Sequence, residues 1–98
     1  MRLELHEITA IRRSASLAFG EDVTVRVFGS RAFDERRGGD IDLHVEVSRE
    51  TDEIAARARF FDSLFGRIDE QRVDLVVHRR GEPLRGIDMI ARRDGVEL

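Results

Sequence analysis

Residues 40–47, which read DIDLHVEV, alternate polar and apolar side chains without a break. Successive side chains of a β-strand point to opposite faces of its sheet, so this period of two predicts a strand with one buried face. The apolar side is made of Ile41, Leu43, Val45 and Val47. The other side begins with Asp40 and Asp42. Packing of the strand against a core does not explain why two carboxylates lie at its start.

Apolar spacing elsewhere predicts three helices and two further strands. We expect helices over residues 3–19, from an N-cap at Thr51 to Gly66, and from Pro83 at the first helical position to Gly95. The further strands span residues 23–29 and 73–77. The predicted order of elements along the chain is therefore α-β-β-α-β-α.

This order restricts the topology of the sheet. A helix between the second and third strands implies a right-handed parallel crossover. The link of about ten residues between the first two strands is too short for a crossover helix, which favours an antiparallel pair. We expect an α/β (α+β) fold over residues 1–98 as a single domain, with a small mixed three-stranded sheet and its helices on one face.

Composition excludes several classes of function. The chain has 17 basic and 20 acidic residues, for a net charge of −3, which argues against bulk nucleic-acid binding. It has no cysteine, so disulfides and thiolate metal sites are excluded. No apolar run approaches the ~20 residues of a membrane span, and the N-terminus lacks the apolar core of a signal peptide. We therefore expect no membrane association and a cytoplasmic location.

A third carboxylate is predicted to join the first two. In the strand RVDLVV, the residues Val73, Leu75 and Val77 have core parity, which turns Asp74 to the same face as Asp40 and Asp42. Three carboxylates so close together repel one another, and a divalent cation removes the repulsion. A small set of oxygen ligands with open positions suits Mg²⁺ or Mn²⁺, completed by water and a substrate phosphate.

The end of the first strand is predicted to supply a phosphate-binding turn. An antiparallel pair of strands brings Gly29 and Ser30 beside Asp40. Gly29 permits close approach of the backbone, and the turn from Ser30 onward can direct N–H groups at a phosphate. Arg31 adds a guanidinium fork, the only type of basic side chain here because lysine is absent.

The set Gly29-Ser30, Asp40-Ile41-Asp42 and Asp74, with this order of elements, resembles the DNA polymerase beta-like nucleotidyltransferase superfamily, and most closely its minimal nucleotidyltransferases. The resemblance implies transfer of a nucleoside monophosphate with release of pyrophosphate. By it, Asp40 and Asp42 would ligate two Mg²⁺ ions, with Mn²⁺ as a substitute. Asp74 would ligate the ion that activates the acceptor hydroxyl. Gly29, Ser30 and Arg31 would bind the triphosphate.

The same resemblance implies a protein partner. Minimal members often act as the antitoxin of a HEPN-domain toxin, and some transfer AMP from ATP to a tyrosine of that toxin. This chain has no tyrosine, so such a mark would not be self-modification. Many minimal members have other residues at the positions of Phe33, Asp34 and Gly39, so the preferred nucleotide base stays open. The choice between a homo-oligomer and a hetero-oligomer is open as well.

Two other functions remain open at this level. The first is a catalytically inactive binding module that neutralises a partner by occlusion. The second is a small-molecule adenylyltransferase acting on an antibiotic, which is weaker because members of that type carry a further domain to hold the acceptor.

Overall fold

A computed structural model describes residues 3–29 and 40–98 of the chain. The elements in order are α1 (Leu5–Phe19), β1 (Thr24–Phe28), β2 (Ile41–Val47), α2 (Glu53–Phe65), β3 (Val73–Arg79), α3 (Gly86–Asp94) and β4 (Val96–Glu97). The α/β class and the predicted order of the first six elements are confirmed. Over the described ranges, none of the helices has both the length and the apolar character needed to cross a membrane.

The three predicted helix starts are too early by one to three residues, and α1 begins at Leu5 rather than at residue 3. The N-cap of α2 is Asp52, not Thr51, and its carboxylate accepts a hydrogen bond from the backbone N–H of Ala55 at 3.3 Å. A carboxylate there also interacts favourably with the helix dipole. Pro83 lies outside α3, whose N-cap is Arg85. The Asp88 carboxylate accepts the Arg85 backbone N–H at 2.7 Å and thereby sets this later start.

The sheet is mixed, as predicted, but within the described residues it has four strands in the order β3-β2-β1-β4. β1 pairs antiparallel with β2, and β2 pairs parallel with β3. The fourth strand is a two-residue edge that pairs antiparallel with β1, and the N–H of Leu98 extends the contact to the carbonyl of Val25 at 2.9 Å. A strand this short carries no periodicity, so the three-stranded prediction missed it.

One face of the sheet carries the hydrophobic core. The apolar side of β2 packs there with α1 and α2, and all of its members are fully buried. Ile11 of α1 and Phe60 and Leu64 of α2 are also fully buried. The predicted parity of the strand is confirmed, because the alternate residues Asp42, His44 and Glu46 point away from this core.

The opposite face is covered in part by α3, so the prediction of helices on one face is wrong. The contacts are polar: Asp88 Oδ1 lies 2.8 Å from His44 Nε2, and Arg92 pairs with Glu46. Asp88 and His44 are fully buried. In the sequence, Leu84, Ile87 and Ile90 have the spacing of a buried helical stripe, but they are exposed. The helix is oriented by charge pairing, since a buried charge needs a partner.

Candidate active site

The strand register brings the predicted carboxylates together at one end of the sheet. Asp42 of β2 is the register partner of Asp74 in the parallel strand β3, and of Phe28 in β1. Asp40 immediately precedes β2, so it shares the face of Asp42 by strand parity. We call Asp40, Asp42 and Asp74 the acidic patch. It lies where α3 no longer covers the second face, and its outer members are 41% and 48% exposed.

Asp42 is the most perturbed member of the patch. Its pKa is raised above the ordinary value, first by burial and then by the negative charge of Asp74, a hydrogen bond shared with Asp74, and the charge of Asp40. Arg72 opposes the shift. Asp40 and Asp74 therefore lie close enough to disfavour the ionised form of Asp42, which is the condition that a bound cation would relieve.

Gly29, the residue directly after β1, lies against Asp42 of the acidic patch. Its φ is +69°, and a β-carbon built on it would overlap Asp42 Oδ2 and lie 3.2 Å from Asp42 Cγ. Glycine is favoured there, because side chains rarely adopt this backbone conformation and a β-carbon would force the Asp42 carboxylate to move. The predicted close approach of the Gly29 backbone to the acidic residues is thus present, with Asp42 rather than Asp40 as the residue contacted.

Ser30 and Arg31, the other predicted phosphate-binding residues, lie outside the described residues. Their assignment to the triphosphate stays a prediction. The residues that the structure does describe place the start of that turn, Gly29, directly against Asp42.

The patch matches the ligand chemistry of Mg²⁺ or Mn²⁺ in part. Its donors are all carboxylate oxygens, and Gly29, which has no side chain, lets the backbone approach one of them closely. Among residues 3–29 and 40–98, no group of three or more His, Cys, Asp or Glu side chains is already gathered around a common metal position. Asp40 and Asp74 face Arg72 instead, with Nε to carboxylate distances of 3.3 and 3.7 Å. The donor types fit, and rotation of exposed side chains is needed to converge them.

Two features of the site were missed by the sequence analysis. Arg72, two residues before Asp74, has the parity that places it on the same face, and this spacing was a usable signal. The buried pair His44–Asp88 behind the patch had no comparable signal, because the two residues are 44 positions apart. His44 shares the face of Asp42, as expected, but α3 seals it from solvent, so it supports the strand and does not reach a substrate.

Comparison with known proteins agrees with this geometry. The family model described as "Nucleotidyltransferase domain" matches residues 8–93, which contain every described residue of the acidic patch. Neither a curated protein nor a solved structure gave a significant match. The matched region covers most of the chain and includes all three helices and the first three strands in full or in large part. The chain belongs to the nucleotidyltransferase domain family, whose general reaction is nucleotidyl transfer.

Proposed function

We propose that this chain transfers AMP, or another nucleoside monophosphate, from a nucleoside triphosphate to a hydroxyl of a protein partner, in a reaction that depends on Mg²⁺ or Mn²⁺. The partner in this proposal is a HEPN-type toxin, with the chain as its antitoxin. The general class of reaction comes from the family. The metal, the donor ATP and the protein acceptor are the proposal.

The observation that carries the proposal is the placement of Asp42 between Asp74 and Gly29. Asp74 faces it across the parallel pair of strands, and Gly29 leaves no room for a side chain on the other side. A solvated structural turn has no need of a carboxylate pressed against a glycine in the left-handed region. A site that binds a metal-bound phosphate must bring backbone N–H groups close to a metal-binding carboxylate, and a glycine next to Asp42 allows that approach.

Each residue of the acidic patch has its own role in the proposed reaction. Asp40 and Asp42 would hold the cation, which supplies charge stabilisation for the α-phosphorus and the leaving oxygen. Asp74, at the open edge, would hold the ion that activates the acceptor hydroxyl and would accept the proton of that hydroxyl. A bond then forms between the acceptor oxygen and the α-phosphorus, the bond from that phosphorus to the bridging oxygen of the β-phosphate breaks, and pyrophosphate leaves.

Two observations support a protein acceptor. The outer carboxylates of the acidic patch, those of Asp40 and Asp74, are half-exposed. Apolar side chains are also exposed on α3, namely Ile87, Met89 and Ile90, beside the face that holds the patch. A partner that brings its own hydroxyl to an open site needs no acceptor pocket in this chain, and exposed apolar groups are common where proteins meet.

The test is transfer from α-labelled ATP, GTP, CTP and UTP to the protein encoded next to this chain, read by intact mass and by the labelled residue. We expect one nucleotide to add its monophosphate to the partner with Mg²⁺, and none to do so with chelator. Asp42→Asn should abolish the transfer, while Asp62→Asn, an exposed aspartate of α2, should not. Neutralisation of the partner that persists in Asp42→Asn would instead favour the occluding module.

A further inference from the structure

Arg72 faces the acidic patch, and the reaction described above leaves its guanidinium unused. It immediately precedes β3, and its Nε lies 3.3 Å from Asp40 Oδ2 and 3.7 Å from Asp74 Oδ1. One guanidinium therefore bridges the two carboxylates that flank Asp42. It also lowers the pKa of Asp42, against the larger raising effects of burial and of the neighbouring carboxylates.

The backbone of Arg72 is anchored while its side chain is free to move. Its carbonyl accepts a hydrogen bond from the N–H of Ile41 at 3.2 Å, which fixes the residue at the start of β2. The side chain is 73% exposed, and both contacts are longer than the ~2.7–2.9 Å of a charge-assisted hydrogen bond. The backbone of Arg72 is thus fixed, whereas its guanidinium is held only by long contacts.

A divalent cation and this guanidinium compete for the same oxygens. Mg²⁺ requires carboxylate oxygens at about 2.0–2.1 Å, in a nearly ideal octahedral arrangement. The guanidinium occupies the approach to one oxygen of Asp40 and one of Asp74. Entry of the ion therefore displaces Arg72, and the displaced side chain stays within reach of whatever arrives with the ion.

We propose that Arg72 is a displaceable counter-ion. It neutralises Asp40 and Asp74 in the empty site, yields to the divalent cation, and then binds the phosphate chain of the nucleotide. This inference rests on the proposed function and adds to it a positioning residue for the leaving pyrophosphate. A guanidinium fork suits that role, because it makes paired hydrogen bonds to phosphate oxygens and stays charged at any working pH.

The experiment measures two affinities with opposite expected signs, in Arg72→Gln and in the wild type. Binding of Mn²⁺ alone is followed by electron paramagnetic resonance, and binding of inorganic tripolyphosphate at saturating Mn²⁺ is followed by calorimetry. We expect Arg72→Gln to bind Mn²⁺ about fivefold more tightly, since a competing exposed ion pair is gone. We expect it to bind tripolyphosphate about tenfold more weakly, since a charge-assisted contact is lost.

Two further variants separate this role from a general effect of charge. Arg67→Gln removes the same charge from an exposed arginine of the α2–β3 connection whose guanidinium donates to Ser63, and it should leave both affinities at the wild-type level. Arg72→Lys keeps the counter-ion but not the fork, so it should keep the Mn²⁺ affinity and lose part of the tripolyphosphate affinity. Because Arg72 is largely exposed, unfolding midpoints should be unchanged in both substitutions at this position.

Each other outcome overturns the inference. Wild-type affinities in Arg72→Gln would make Arg72 an ordinary surface residue and leave the proposed function intact. Weaker binding of both Mn²⁺ and tripolyphosphate in Arg72→Gln would mean that Arg72 supports ion binding and does not compete with the ion. A wild-type chain that binds no Mn²⁺ would overturn the proposed function itself, and this inference with it.

Discussion

Gly29 packs directly against the carboxylate of Asp42, with its backbone at φ +69° and no space for a β-carbon between them. This contact joins the end of β1 to the start of β2 at the point where the nucleotide is proposed to bind. Both residues are therefore expected to be sensitive to small substitutions, but for different physical reasons.

Gly29→Ala should destabilise the fold and remove nucleotide binding. A non-glycine residue in the left-handed region costs about 1–2 kcal/mol, and the added methyl also displaces the Asp42 carboxylate. Urea unfolding and calorimetric titration with Mg-ATP measure the two effects. Gly86→Ala is the matched control, since nothing lies within 4 Å of a β-carbon there, and it should unfold at the wild-type urea concentration or above it. Equal behaviour of the two variants would contradict the packing argument.

Asp42→Asn should not destabilise the protein at pH 7, although it is expected to abolish metal-dependent nucleotide binding. Burial and the neighbouring carboxylates raise the pKa of Asp42 in the folded state, so ionisation opposes folding. The contribution of this group to stability is full below its ordinary pKa of 3.8 and is lost as the pH rises through the raised value.

Thermal unfolding of Asp42→Asn in chelator at pH 7 should therefore give a melting temperature equal to or above that of the wild type. A clear decrease would mean that Asp42 is held by favourable contacts and not by the crowding inferred here. The same experiment with Mg²⁺ should raise the melting temperature of the wild type alone, because only that chain keeps the full ligand set.

Glu46 should make the fold sensitive to acid. Although its burial opposes ionisation, hydrogen bonds from Arg92 and Arg26 lower the pKa of Glu46 from 4.5 to about 2. A carboxylate with a lowered pKa stabilises the fold above its unfolded value, and that contribution is lost as the pH falls from 4.5 towards 2. Glu46→Gln should cost about 2 kcal/mol at pH 7, since the partner Arg92 is partly exposed.

Urea unfolding from pH 7 to pH 2 tests this assignment. The free energy of unfolding of the wild type should decline through that acid window, and the decline should be shallower in Glu46→Gln. Asp88 would contribute to the remaining decline, because hydrogen bonds from Arg85 and His44 outweigh burial and lower its pKa as well. Parallel curves for the two proteins would contradict the role of Glu46.

The pair His44–Asp88 should be coupled in stability. Both side chains are fully buried and lie 2.8 Å apart, so removal of Asp88 leaves His44 without this hydrogen bond, whereas Asp88 without His44 still pairs with Arg85. Asp88→Asn alone is expected to cost about 3 kcal/mol, because it also weakens the cap of α3. A double-mutant cycle with His44→Gln should give a coupling free energy above about 1 kcal/mol. Additive effects would contradict a direct interaction between the two residues.

Most of what could be predicted about the sheet and the acidic patch came from the alternation of polar and apolar residues over positions 40–47. It defines which side chains of β2 enter the core, and the same parity applied to β3 places Asp74 with Asp42, as the register confirms. The antiparallel and parallel pairings followed from the lengths of the connections. These signals are local, and a buried face leaves little freedom in register.

The orientation of α3 was not predictable in the same way. Apolar spacing favoured burial of Ile87 and Ile90, but the helix turns Asp88 and Arg92 inward to meet His44 and Glu46. Such pairs depend on residues more than forty positions apart, and each member taken alone looks like a solvated polar residue. The strand β4 was missed because two residues show no period.

The central claim is that the acidic patch is a metal-dependent nucleotide site. Calorimetric titration of ATP, GTP, CTP and UTP into the chain tests it most directly, with Mg²⁺ or Mn²⁺ and again with chelator, in the wild type, Asp42→Asn and the control Asp62→Asn. We expect binding of one nucleotide that requires the metal, is lost in Asp42→Asn and survives in Asp62→Asn. Nucleotide binding that is the same with chelator, or that persists in Asp42→Asn, would contradict it.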